Sequence, residues 1–114
     1  MAAFCKIRKN YEFRRVYSDG KYYVEKYLVM YLIKNNSDVN RVGFSVSKKV
    51  GNSVVRNRLR RYMKEVYRKI SSRLRLGYDI VFTGRIGSSE AGFKEIEKNM
   101  LLVMKRARLI KREE

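Results

Sequence analysis

The sequence has 114 residues, is 45% hydrophobic with nine Tyr and five Phe, and carries 28 Lys and Arg against 11 Asp and Glu, a formal net charge of +17. That is the length of one ordinary domain, and its aromatics can build a core that a disordered basic tail could not. A soluble domain needs a charge of magnitude only about 2–8 for solubility, and the excess costs stability by self-repulsion, so a polyanion, nucleic acid above all, is the economical partner.

Asn10 is a suitable helix cap, and Phe13, Val16 and Tyr17 follow at helical spacing; Ser18 to Gly20 then ends this short helix. Tyr22 to Lys34 is rich in β-branched and aromatic residues and predicts strand, as one run or two short ones. Tyr27, Val29, Tyr31 and Ile33 fall on one face of it and Leu28, Met30 and Leu32 on the other, so both faces should be covered or used. Asn35 to Asn40 is turn chemistry. Arg41 to Ser47 alternates Val42, Phe44 and Val46 with Gly43, Ser45 and Ser47, and predicts a strand that pairs back on the previous one as a hairpin. Its small-residue face lets another group approach the backbone closely. A helix is predicted from Asn52 or Ser53 to about Arg73. Val55, Leu59, Tyr62, Met63, Val66 and Ile70 share one stripe of it, with Arg56, Arg60, Arg61, Lys64 and Arg68 on the other side. Tyr78 to Gly84 predicts a further strand. Ser88 or Ser89 is the expected cap of a last helix, whose apolar face holds Phe93, Ile96, Met100, Val103, Met104, Ala107 and Ile110. The order is α-β-β-β-α-β-α, or one strand fewer. It predicts a small α+β sandwich over residues 1–114, one domain with helices against one mixed sheet.

Between Ser45 and Arg75 eleven residues are basic and one, Glu65, is acidic. A solvated helix face usually mixes signs, because like charges at i,i+4 repel by a few tenths of a kcal/mol. Arg56, Arg60 and Lys64 instead form a ladder of one sign. A membrane-surface helix also combines basic and apolar faces, but here the apolar stripe is needed for the core between two strands. Arg forks match phosphate oxygens. Lys48 and Lys49 lie in a loop at a helix N-terminus, where free N–H groups favour an anion. Asn57 can donate and accept, so it suits a base or sugar edge. A DNA major groove fits less well, since strands flank the helix and the helix-turn-helix pattern is missing. Phe13, Tyr17 and Tyr31 are candidates for stacking on unpaired RNA bases, although for any one ring core packing is the stronger expectation.

Catalysis by the protein itself is not expected. There is no His, which removes the commonest general base, and the lone Cys5 excludes an internal disulfide and a cysteine zinc site. Asp19, Asp38 and Asp79 show no paired spacing of the kind a two-metal nuclease needs, so no metal held by the protein is expected. No apolar run approaches the ~20 residues of a membrane span, and the first ten residues lack a stretch of signal-peptide length. A cytoplasmic location is expected.

The stretch "FSVSKKVGNSVVRNRLRRYMKE" resembles the signature of the bacterial ribonuclease P protein subunit family, whose Arg-Asn-Arg run corresponds to Arg56, Asn57 and Arg58. "KNYEFRRVYSDGK" is similar to the family's first helix and turn, "GYDIVF" to its fourth strand, and "KRARLIK" to its basic C-terminal helix end. The resemblance implies a two-layer α/β sandwich with a left-handed βαβ crossover (ribosomal protein S5 domain 2-like), although the general rule for such crossovers predicts the right-handed form. It implies a protein without catalytic residues that assists a large catalytic RNA in removing the 5′ leader of precursor tRNA. Mg²⁺ would be held mainly by that RNA and the substrate. By similarity, Lys48, Lys49, Arg56, Asn57, Arg58, Arg60, Arg61, Lys64 and Arg68 face RNA, and the single-stranded leader lies in a cleft with Phe13, Tyr17, Tyr31 and Ser45. The implied partners are the catalytic RNA and precursor tRNA, with no membrane and no protein oligomer predicted. A stand-alone RNA- or DNA-binding module of similar fold and a carboxylate-dependent nuclease are the competing readings.

Overall fold

The computed structural model describes residues 4–112. In chain order its elements are β1 (Cys5–Lys6), α1 (Asn10–Asp19), β2 (Lys21–Val24), β3 (Leu28–Lys34), β4 (Arg41–Val46), α2 (Ser53–Ile70), β5 (Tyr78–Gly84) and α3 (Phe93–Arg106). The strands form one mixed sheet in the order β1-β4-β5-β3-β2. β4 runs parallel to β1 and β5, and β3 runs antiparallel to β5 and β2.

This is the expected α+β sandwich, but the expected hairpin between β3 and β4 does not form, because β5 lies between them. Burial gives the reason. Asp79 to Phe82 are all buried, and a strand buried on both faces belongs in the middle of a sheet. The turn at 35–40 carries the chain past that position, and α2 returns it as a helical crossover between the parallel strands β4 and β5. Tyr22 to Lys34 divides into two antiparallel strands, with Tyr27 in their connection instead of on a strand face. β1 has only two residues, too few for any alternation to announce it.

Helix ends differ in detail from the expected ones. Lys9, not Asn10, caps α1, and Glu12 reaches back to the Lys9 N–H at 3.2 Å. The helix stops at Gly20, where a Cβ would lie 2.5 Å from the Val16 carbonyl oxygen. Asn52 caps α2 by accepting the Val55 N–H at 3.0 Å, and one 3₁₀ turn, Ser71–Arg73, extends the helix to its expected end. Ser88 and Ser89 do not cap α3. They form a 3₁₀ turn after Gly87, and the cap is Gly92, whose N–H donates to Glu95 at 2.9 Å. Ala107 and Ile110 lie beyond the end of α3, where Ile110 bridges to Leu74.

Two cores flank the sheet. On one face Leu28, Met30, Val42, Ile80 and Phe82 meet Leu59, Met63, Val66 and Tyr67 of α2 and Ile96, Met100, Val103 and Met104 of α3. Each side chain so buried contributes about 1.5–3 kcal/mol. On the other face a smaller cluster joins Ile7, Val16 and Val81 with Phe13, Tyr31 and Ile33. Among the described residues α1 is the one helix over that face, and part of the face stays open.

Arg41 fastens α1 to the sheet. Its guanidinium donates twice to Asp79, at 2.9 and 2.6 Å, and once to Glu12. Asp79 is 1% exposed and also accepts from Asn35 at 3.0 Å. Burial alone would raise the Asp79 carboxyl, but hydrogen bonds from Arg41 and Asn35 outweigh it and hold it below its ordinary value. The Arg41 hydrogen bond lowers Glu12 in the same way.

Candidate nucleic-acid interface

Strand register aligns two rows of side chains across the face that carries α1. One row runs Gly43, Val81, Tyr31, Tyr22 from β4 to β2, and the next runs Ser45, Thr83, Val29, Val24. The glycine in the first row has a steric reason. A Cβ on Gly43 would sit 2.6 Å from the Phe13 ring, which occupies that space. Helical spacing brings Tyr17 one turn on from Phe13, with their ring centroids 6.3 Å apart. Tyr17 then meets Tyr31 edge-on at 4.8 Å, and its hydroxyl shares a hydrogen bond with the Thr83 hydroxyl at 3.2 Å. Burial and the neighbouring Tyr17 and Tyr22 raise the pKa of the Tyr31 hydroxyl. Phe13, Tyr17, Tyr31 and Ser45 are therefore brought to one place, although they come from α1, β3 and β4.

The cationic helix joins this cleft at Arg60. An open cavity of about 420 Å³ is lined by Phe13, Tyr17, Phe44, Ser45, Val46 and Arg60, together with Asn10 and Arg14 of α1. Asn10, expected as a helix cap, and Arg14 join the site through α1, where both sit one turn or less from Phe13. Further along α2, Lys64 lies near Arg60, Arg68 and Lys6. Burial first, and then these like charges, push its ammonium below its ordinary pKa. Lys6 sits on β1, so nothing local in the sequence marked it as part of this set. Arg60 donates to the Asn57 side-chain oxygen, which uses one of that oxygen's two acceptor sites. Lys48 and Lys49 are exposed in the turn before α2.

Three of the predicted cations have other engagements. Arg58 donates to the Ser89 carbonyl at 2.9 Å and so ties α2 to the 3₁₀ turn. Arg68 pairs with Glu65 at 3.4 Å, and Arg61 lies 5.9 Å from the centroid of the Tyr62 ring. Arg56 is different again: its Nε is buried without a hydrogen-bond partner among the described residues.

The carboxylates near the cleft are engaged with the protein. Glu12 and Asp79 hold Arg41, and Asp19 accepts the Ser18 hydroxyl at 3.2 Å. Among the described residues no three His, Cys, Asp or Glu side chains come together.

The fold and surface define a class: small, strongly basic α+β proteins in which an aromatic cleft on the sheet opens beside a cationic helix. Within it, the family model described as Ribonuclease P matches residues 1–108, and the chain belongs to that family. It is 50% identical over 101 residues to the ribonuclease P protein component of Clostridioides difficile, covering 88% of this chain and 89% of that one. The RNase P protein of Staphylococcus aureus superposes with a TM-score of 0.87 at 32% identity, over 96% of this chain and 100% of that one. A mutant S. aureus RNase P protein, described as defective in mRNA degradation activity, gives 0.85 at 32% identity over 92% and 89%. The chain is thus a ribonuclease P protein component by family, with a general role in tRNA processing and an RNA partner in that complex.

Proposed function

We propose that this protein is the noncatalytic subunit of a cytoplasmic RNA-based endoribonuclease. It holds the catalytic RNA along α2 and the single-stranded 5′ leader of precursor tRNA in the aromatic cleft. The observation that carries this reading is Arg60, which lines the same cavity as Phe13, Tyr17 and Ser45. One groove thereby offers π-faces for bases and a guanidinium for phosphate, the combination that single-stranded nucleic acid needs. Lys48, Lys49, Arg56, Lys64 and Arg68 extend the cationic surface away from it, and Arg61 adds a further exposed guanidinium. Mg²⁺ in this reading belongs to the catalytic RNA and its substrate.

A second reading, degradation of mRNA as an activity of the protein, is raised by the S. aureus relative, of which a mutant is defective in mRNA degradation activity. Reconstitution separates the two. At low Mg²⁺ the protein with its cognate catalytic RNA should cleave precursor tRNA, leave mature tRNA intact, and bind precursor more tightly than mature tRNA. Protein alone should leave both precursor tRNA and mRNA uncut. Cleavage by highly purified protein without the RNA overturns the noncatalytic assignment.

A further inference from the structure

The aromatic row does not end at Tyr31. Its next member, Tyr22, stands directly across the β2–β3 ladder, with ring centroids 6.1 Å apart and planes tilted by 42°. The four rings Phe13, Tyr17, Tyr31 and Tyr22 therefore form one chain of contacts at 6.3, 4.8 and 6.1 Å. Tyr22 is 66% exposed and sits on β2, at the edge of the sheet. Val24, also exposed, follows it on the same face. A cross-strand aromatic pair can serve only to stabilise the sheet. That role uses the shielded side of the ring and leaves unexplained why so much of a large ring faces solvent on an edge strand, where charged residues are the usual protection. Three inter-strand steps of about 4.8 Å separate β4 from β2, roughly 14 Å in all. A single strand that enters beside Arg60 and crosses the sheet leaves it over Tyr22.

We infer that Tyr22 forms an additional subsite, at the β2 exit of the cleft, that stacks one unpaired nucleobase of the bound RNA strand. This rests on the reading that the cleft holds single-stranded RNA. The ring supplies a π-face to any base, so the subsite is tolerant of sequence and adds affinity without adding a phosphate contact.

The test measures binding of oligouridylates of about 4 to about 16 nucleotides, the span of known single-strand site sizes, to the full-length protein at fixed salt. Wild type is compared with Tyr22→Phe, Tyr22→Ala, Tyr22→Thr and Tyr31→Ala. Tyr22→Ala and Tyr22→Thr should weaken binding of the longer oligomers at least about 5-fold, the lower end of stacking losses. They should leave the shortest oligomers and the salt slope unchanged. Tyr22→Phe should bind like wild type. Thr suits a strand, so it keeps the test open if Ala disturbs β2. Loss in Tyr31→Ala with none in either nonaromatic Tyr22 variant overturns the subsite and leaves the cleft standing. No loss in any variant overturns the cleft reading and the subsite with it. A Tyr22→Phe variant as weak as Tyr22→Ala means the hydroxyl is the contact, which also overturns stacking.

Discussion

The two faces of the sheet are built from the same alternating strands, yet they end in opposite states. The face under α2 and α3 is closed: Met30, Val42, Ile80 and Phe82 are fully buried against two helices. Among the described residues the opposite face has the ten-residue α1 as its one helix, and Val29, Tyr31 and Thr83 remain half-buried. A sheet needs one sealed face to be stable, and the second is then free to be left open for binding. The composition follows this division. Aliphatic residues dominate the closed face, while the open one carries Tyr17, Tyr22 and Tyr31 beside small residues, groups that tolerate water and present flat surfaces to a ligand.

By this contrast, the largest stability loss comes from the closed face. Phe82→Ala should lose about 3–5 kcal/mol in denaturant unfolding, and Val29→Ala on the open face about 1 kcal/mol. Equal losses would mean that the open face is as tightly packed as the closed one. The next largest effect is expected at Arg41, which anchors α1 to the open face. Arg41→Ala leaves Asp79 buried with only Asn35 as a donor, and should lose about 2–3 kcal/mol at neutral pH. The sign with pH is fixed by the lowered pKa values of Glu12 and Asp79. Their contribution is present above the unfolded carboxyl range, near pH 4, and is lost as the pH falls through the lower folded values. Wild type should therefore lose stability on acidification below about pH 4, and Arg41→Ala should show a flatter acid limb. An acid limb of unchanged slope would show that the clamp contributes nothing through ionisation.

Much of this division is legible in the sequence, for reasons that also explain where legibility stops. Period-two alternation over 41–47 and the helical stripe of α2 report which way side chains face, and these expectations hold at Val42, Leu59, Met63 and Val66. Facing does not report neighbours. Nothing in Arg41 to Ser47 says that the adjacent strand is β5, some thirty residues later, and the hairpin expectation fails there. Tyr67 lies outside the expected stripe although it is one turn beyond Met63, because a tyrosine is ambiguous from sequence, and in the fold Phe4, Phe44 and Phe82 surround it. Burial in that cage pushes its hydroxyl up to about 12. Clustering of Phe13, Tyr17, Tyr31 and Ser45 came from the family resemblance, because residues on three elements share no spacing. Within the basic stretch the helical angle sets Arg58 apart from the side that carries Arg56, Arg60, Arg61, Lys64 and Arg68, and only the family resemblance places it with them facing RNA. Arg58 lies about 200° around the helix from Arg56, on the side that meets the Ser89 carbonyl.

On the open face itself, Tyr31→Ala should weaken binding of precursor tRNA by about 1–3 kcal/mol relative to mature tRNA, measured as equilibrium dissociation constants in the reconstituted complex. The same loss for both substrates would remove Tyr31 from the leader contacts and leave its ring as packing for α1.

The smallest effect separates two arginines that the sequence presents as equivalents. Arg60 opens into the cleft cavity, whereas Arg58 is spent on a backbone carbonyl. Binding of single-stranded RNA releases about 0.7 counterion per phosphate contact, so the slope of log affinity against log salt counts contacts independently of total affinity. Arg60→Ala should reduce that slope by about 0.7 and shift the unfolding free energy by less than about 0.5 kcal/mol, because the bond it loses, to Asn57, is exposed to water. Arg58→Ala should do the reverse: an unchanged slope, with a stability loss of about 1–2 kcal/mol for the lost hydrogen bond from a charged group. A reduced slope in Arg58→Ala would mean that its guanidinium leaves Ser89 for a phosphate when RNA binds. The contrast between a structural and a ligand-facing side of α2 would then fail at the centre of the Arg-Asn-Arg run.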